Sequence, residues 1–178
     1  MEELNKGLRE FRGAVHADAS VADRVLCSVI GFGEEPEVVQ RMLPMDGLVD
    51  LPAPGACAGT NFGPVFTCLR SAIDSDVGAL AAHRVRVHRP LVFFLSDGQP
   101  TDPVTWPSAF SSLCDPTWEH RPRVVAFGVG DADEEALSRI GTFRMYLSRD
   151  GVRLGTALIA SVMHVLSTSG PPPGRTLS

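Results

Sequence analysis

Pro90-Leu91-Val92-Phe93-Phe94-Leu95-Ser96-Asp97-Gly98-Gln99-Pro100-Thr101-Asp102 is the stretch from which the fold can be read. Five apolar residues run unbroken from Leu91 to Leu95, and an aspartate, a glycine and a turn follow soon after. A strand with one covered face alternates apolar and polar side chains. An unbroken run marks a strand covered on both faces, the habit of parallel sheets packed between helices. Asp97 then stands at the carboxyl end of that strand, where open α/β sheets place their ligands. It is the first candidate for a functional side chain.

The flanks agree with this reading. Val65, Phe66, Leu69, Ile73, Val77 and Leu80 recur at helical spacing and predict a long helix from Asn61 to about His83. Asp102-Pro103 carries an acid at a cap position and a proline at a first helical position, and predicts a helix through Phe110 to Leu113. Arg123 to Gly130 reads as a second buried strand, and Asp131–Asp133 as the cap of a helix to Ile140. Arg144 to Leu147 is a short strand. A final helix carries Leu154, Leu158, Val162, Val165 and Leu166 on one stripe.

At the amino end, Leu4, Leu8, Phe11 and Val15 predict an amphipathic helix that ends near 17–20. Arg24 to Phe32 and Glu37 to Leu43 predict two strands joined only by Gly33-Glu34-Glu35-Pro36. A parallel crossover needs a dozen residues or more, so these two strands pair as an antiparallel hairpin. Pro36 suits an edge position. Residues 44–59, rich in proline and glycine, are expected as loop. The fold class is therefore α/β, a doubly wound and mostly parallel sheet with an antiparallel edge hairpin. At 178 residues the chain is expected to be one domain over 1–168, with a disordered Pro/Gly tail over 169–178.

Composition removes several function classes. A net charge of −5 lacks the basic footprint of a nucleic-acid binder. No apolar run approaches the roughly 20 residues of a membrane span. Met1-Glu2-Glu3-Leu4-Asn5-Lys6 has neither the basic start nor the apolar stretch of a signal peptide, so a cytoplasmic protein is expected. Cys27, Cys57, Cys68 and Cys114 form no C-x-x-C pair and read as isolated thiols.

Three stretches now fall in order. They are a strand leading to Gly31-Phe32, the loop Ala58-Gly59-Thr60-Asn61 opening a long helix, and Phe94-Leu95-Ser96-Asp97-Gly98-Gln99-Pro100-Thr101-Asp102. Val125-Ala126-Phe127-Gly128-Val129-Gly130-Asp131 closes the set, and with it about residues 1–168 resemble a von Willebrand factor A (vWA) domain. More narrowly, the chain is similar to the small cytoplasmic bacterial members, some associated with tellurite resistance. The resemblance implies a metal-ion-dependent adhesion site built from three loops, holding Mg²⁺ or Mn²⁺ with hydroxyls and carboxylates. Thr60 matches the family's threonine and Asp97 its aspartate. The family's Asp-x-Ser-x-Ser motif has no match. Mg²⁺ wants six near-octahedral oxygens, so these two residues alone imply a weak or absent metal.

The strand that should carry the missing motif lies, in the family's order, between the strand ending at Phe32 and the strand ending at Asp97. Its absence is expected to leave a gap of ~10 Å or to force the two sides together. Three explanations stay open: the native chain begins upstream of Met1, the sequence is a fragment, or the sheet closes up or takes a strand from another chain or an oligomer.

Each candidate also has a simpler reading. Asp97 could accept amide bonds from its own turn, and Thr60 could be only the cap of the long helix. Asp102 reads as a cap before Pro103. Asn61 and Gln99 flank the site. His83, Arg84, Arg86, His88 and Arg89 form a basic stretch at the opposite end of the sheet, which reads as solvated loop. Trp106 and Trp118 fit core or rim equally.

There is no G-x-S-x-G elbow, H-E-x-x-H or P-loop lysine, and no acid stands two residues after Asp97. The expected function is therefore non-enzymatic: a protein-interaction module that binds an acidic group of a partner protein through an incomplete divalent-metal site, in a bacterial stress-response or signalling complex. The alternatives are a metal-free scaffold and a metal-assisted phosphoester hydrolase on Asp97.

Overall fold

The computed structural model describes residues 2–17, 24–47 and 59–168. Helix α1 spans Glu2–His16, and strands β1 (Leu26–Phe32) and β2 (Pro36–Pro44) follow. Then come α2 (Phe62–Ala82), β3 (Leu91–Ser96), α3 (Trp106–Leu113), β4 (Arg123–Gly128), α4 (Glu134–Ile140), β5 (Arg144–Leu147) and α5 (Leu154–Thr168). Of the loop expected over 44–59, Pro44 ends β2, Met45–Gly47 form a 3-10 turn and residues 48–58 lie outside the described residues, as do the tail over 169–178 and Cys57. No described helix is long and apolar enough to cross a membrane.

β1 and β2 pair antiparallel, with Leu26 opposite Pro44 and Phe32 opposite Pro36, as so short a connection requires. β3, β4 and β5 pair parallel in that order, Leu91 opposite Arg123 and Val125 opposite Arg144. The chain thus has the vWA-like α/β architecture, laid out as two half-sheets. β1 and β3 share no ladder, so the sides have not closed up.

Helices cover both faces. Phe62, Val65 and Phe66 of α2, Trp106 and Phe110 of α3 and Leu137 and Ile140 of α4 bury against Phe94, Val124 and Ala126 on one face. Phe11 and Val15 of α1 and Leu154, Ala157 and Leu158 of α5 bury against Phe127 on the other, with Phe93 and Leu95 half-buried beside them. Sequence periodicity located these faces because each buried stripe repeats at the helical spacing or fills every strand position.

One element begins later than its local signal. Asp102-Pro103 does not start α3, which begins at Trp106. The Asp102 carbonyl accepts from the Thr105 and Trp106 amides and closes a turn over residues 103–105. Its carboxylate is committed elsewhere, as described below. Trp106 belongs to the core at 3% exposure. Trp118 is half-buried, with Arg70 over its ring at 4.4 Å and its indole N–H donating to Asp74.

Candidate functional site

Three segments meet where the parallel strands end: residues 33–34 after β1, 60–63 at the start of α2, and 96–102 after β3. The Asn61 amide donates to the Gly33 carbonyl at 2.8 Å, and its side-chain Nδ2 donates to the Glu34 carbonyl at 3.1 Å. The Thr101 hydroxyl donates to Asn61 Oδ1 at 2.7 Å and accepts from the Thr60 amide at 3.0 Å. The Thr101 amide donates back to the Thr60 carbonyl. Thr101 therefore joins the α2 segment to the β3 loop and, through Asn61, to the end of β1.

Asp102 completes the junction. Its carboxylate accepts from the amides of Phe62 at 2.8 Å and Gly63 at 2.7 Å, the first two residues of α2. A helix start leaves such amides without intrahelical partners and carries partial positive charge, so a carboxylate suits it well. Asp102 is thus a cap, as the sequence suggested, of α2 instead of the helix that follows it. Thr60 does not cap α2 either: Asn61 occupies the flanking position, and its side chain makes no capping bond. Gly63 is needed here, because a Cβ would lie 2.8 Å from Asp102 Oδ2.

Asp97 stands apart from this network. Ser96 is buried, and its hydroxyl pairs with the backbone of Gly98, donating to the carbonyl at 3.3 Å. The turn amide that Asp97 might have bound is directed at Ser96 Oγ instead. The Asp97 side chain is exposed. Among the described residues, neither its carboxylate nor the Thr60 hydroxyl has a hydrogen-bond or ion-pair partner. Gln99 is exposed on the same loop, and Asp131 is exposed after β4. Asp133 caps α4 by accepting from the Ala136 amide at 3.0 Å.

The structure thus places Thr60 and Asp97 on segments that the Thr101 and Asp102 bonds tie together. As donors they offer one hydroxyl and one carboxylate. Among the described residues no group of three His, Cys, Asp or Glu side chains could hold a metal ion. A hard divalent cation needs about six oxygens, so the donor set here does not fit a self-sufficient metal site. Thr101 was missed in the sequence. Its only local signal is a hydroxyl beside Asp102, and nothing in spacing reveals a partner 40 residues away.

No protein-family model matches the chain, and no curated protein is significantly similar to it. Solved structures are similar in fold. Proximal thread matrix protein 1 from the mussel byssus superposes with a TM-score of 0.60 at 14% identity, over 91% of this chain and 42% of that one. A second crystal form of it gives 0.59 at 13% identity, over 93% and 43%. A third structure of the same protein, with a zinc-occupied MIDAS (metal-ion-dependent adhesion site) motif, gives 0.52 at 14% identity, over 86% and 39%. The chain therefore spans well under half the length of these structural neighbours, and at such identities the likeness establishes the fold.

Proposed function

We propose that the chain is a protein-interaction module and not an enzyme, docking a partner protein at the rim where β3 ends. The observation that carries this reading is the state of Asp97: an exposed carboxylate with no partner among the described residues, beside loops joined by the Thr101, Asn61 and Asp102 bonds. An acid at the carboxyl end of a parallel strand stands where open α/β sheets place their ligands. Thr60 is the second contact group.

A divalent cation bridging Asp97 to an acidic group of the partner is the finer form of this proposal. The zinc-occupied motif of the mussel protein supports it. The donor count opposes it for this chain alone, so such a bridge draws its remaining donors from the partner. The narrower assignment to a bacterial stress-response or signalling complex rests on the sequence resemblance.

Calorimetry with Zn²⁺, Mg²⁺ and Mn²⁺, with and without acetate as a surrogate carboxylate, tests the bridge. The expected result is negligible binding to the chain alone and saturable binding with acetate, lost in Asp97→Ala. Absence of binding in both conditions leaves metal-free docking. Turnover of bis(4-nitrophenyl) phosphate that disappears in Asp97→Ala would replace the interaction module with a phosphoester hydrolase.

A further inference from the structure

Charge divides along the parallel sheet. Acids follow the carboxyl ends of the strands, Asp97 and Asp102 after β3 and Asp131 and Asp133 after β4. The amino ends carry arginines instead: Arg89 just before β3, Arg121 and Arg123 where β4 begins, and Arg144 at the first position of β5. No acid occurs over 77–96, 120–130 or 136–149. In a chain of net charge −5 this end is a local concentration of cations against the overall sign.

These guanidiniums are held in place by neutral groups. Arg89 Nε donates to the Arg121 carbonyl at 2.8 Å, and its Nη2 donates to the Pro122 carbonyl at 3.0 Å. The Arg123 and Arg144 guanidiniums lie 5.5 and 5.2 Å from the centre of the Phe143 ring, which His164 of α5 also meets at 5.6 Å. Arg144 donates to the Tyr146 hydroxyl as well. None of these contacts supplies a negative charge. Among the described residues none of the four arginines forms an ion pair, whereas Arg149, beyond the other end of β5, pairs with Glu134. Asp115 attracts Arg121 without reaching ion-pair distance. Partial burial, and then the charges of Arg121 and Arg123, pull the Arg89 guanidinium below its ordinary value. Like charges are thus held together without a counter-charge from the chain.

We infer that this amino-end rim is a binding site for a phosphomonoester dianion, formed by Arg89, Arg121 and Arg123 with Arg144 at its edge. A guanidinium offers five donors in a fixed fork that matches phosphate geometry. A phosphomonoester brings nearly two negative charges and three acceptor oxygens, enough for more than one arginine, whereas a carboxylate fills a single fork. The carbonyl bonds of Arg89 leave its Nη1 group undirected, so one face of an already oriented fork is available. The compact anion is favoured over an extended polyanion because acids close the rim on the α3 side, with Asp115 and Glu119 preceding Arg121. A phosphorylated side chain of a partner and a free phosphomonoester present the same group. The site lies at the opposite end of β3 from Asp97 and is independent of the roles proposed for Asp97 and Thr60.

The test follows the arginine Nε–H resonances of the full chain by NMR at low ionic strength, titrated in turn with inorganic phosphate, a phosphoserine-centred heptapeptide, acetate and an oligothymidylate. Phosphate is expected to shift Arg89 and Arg123 saturably and acetate at equal concentration to leave them in place. Arg89→Gln and Arg123→Gln should each weaken phosphate tenfold or more, with the β3–β4 amides still protected as the sign that the variants fold. Arg89→Lys, which keeps the charge and loses the fork, should weaken it several-fold, and Arg149→Gln should change nothing. Lowering the pH through about 6, where phosphate loses its second charge, should weaken binding in the native chain. A phosphopeptide that binds tenfold tighter than phosphate assigns the site to a phosphorylated partner, and equal affinities assign it to a free phosphomonoester. Absence of a saturable shift overturns the inference. So do equal shifts with acetate, which make the rim a general cation surface, or tighter binding of the oligothymidylate than of the phosphopeptide, which makes it a polyanion surface.

Discussion

Asp102 lies 40 residues along the chain from the first amide it binds in α2. A carboxylate on two otherwise unpartnered helix amides is worth about 1–2 kcal/mol. Asp102→Ala should lower the unfolding free energy by about that amount, read from urea midpoints, while Asp102→Asn keeps an acceptor and should lose less. Cys27 gives a residue-scale prediction with a pH sign. Burial in β1 pushes its thiol from an ordinary 9.0 up to about 11. The folded thiol holds its proton more tightly than the unfolded chain does, so the folded state loses stability as pH rises through 9 toward 11. Urea midpoints at pH 8 and pH 10.5 should differ more for the native chain than for Cys27→Val. The same burial keeps Cys27 nearly inert to iodoacetamide at pH 8.

Most elements were legible because their signals are local. The run Leu91–Leu95, the stripe of α2 and the short hairpin connection each state their own geometry, and all five strands form within two residues of expectation. The start of α3 was misread because Asp102-Pro103 is a valid local cap signal overridden by a distant helix. Thr101 was illegible for the same reason. Helix pairing is the other feature that spacing alone does not show. α1 and α5 approach closely at glycines: a Cβ on Gly155 would lie 2.9 Å from the Glu10 Cβ, and one on Gly7 3.0 Å from Leu154 Cγ. Gly155→Leu should therefore push the helices apart and lower stability by about 1–3 kcal/mol, seen as a lower melting temperature with the β4–β5 amides still protected.

At the scale of the molecule, two half-sheets share two cores without sharing a ladder. The sequence foresaw this division, because the resemblance lacks one strand, but it could not say whether the sides would close. Phe32, Phe62 and Phe94 pack their rings across the two half-sheets, and both strands end at the start of α2. The candidate site was legible in part for the same reason. Thr60 and Asp97 lie on two loops that the Thr101 and Asp102 bonds tie together, and the donors that would complete a metal shell are absent from the described residues. An interaction module with a free acid on its rim, at the end of a strand whose other edge no described strand pairs, is the account to be tested. Amide exchange in the free, monomeric chain tests it most directly. The account predicts alternation along β3, with Leu91, Phe93 and Leu95 exchanging at least a hundredfold faster than Val92, Phe94 and Ser96. Uniformly slow exchange across all six would contradict it.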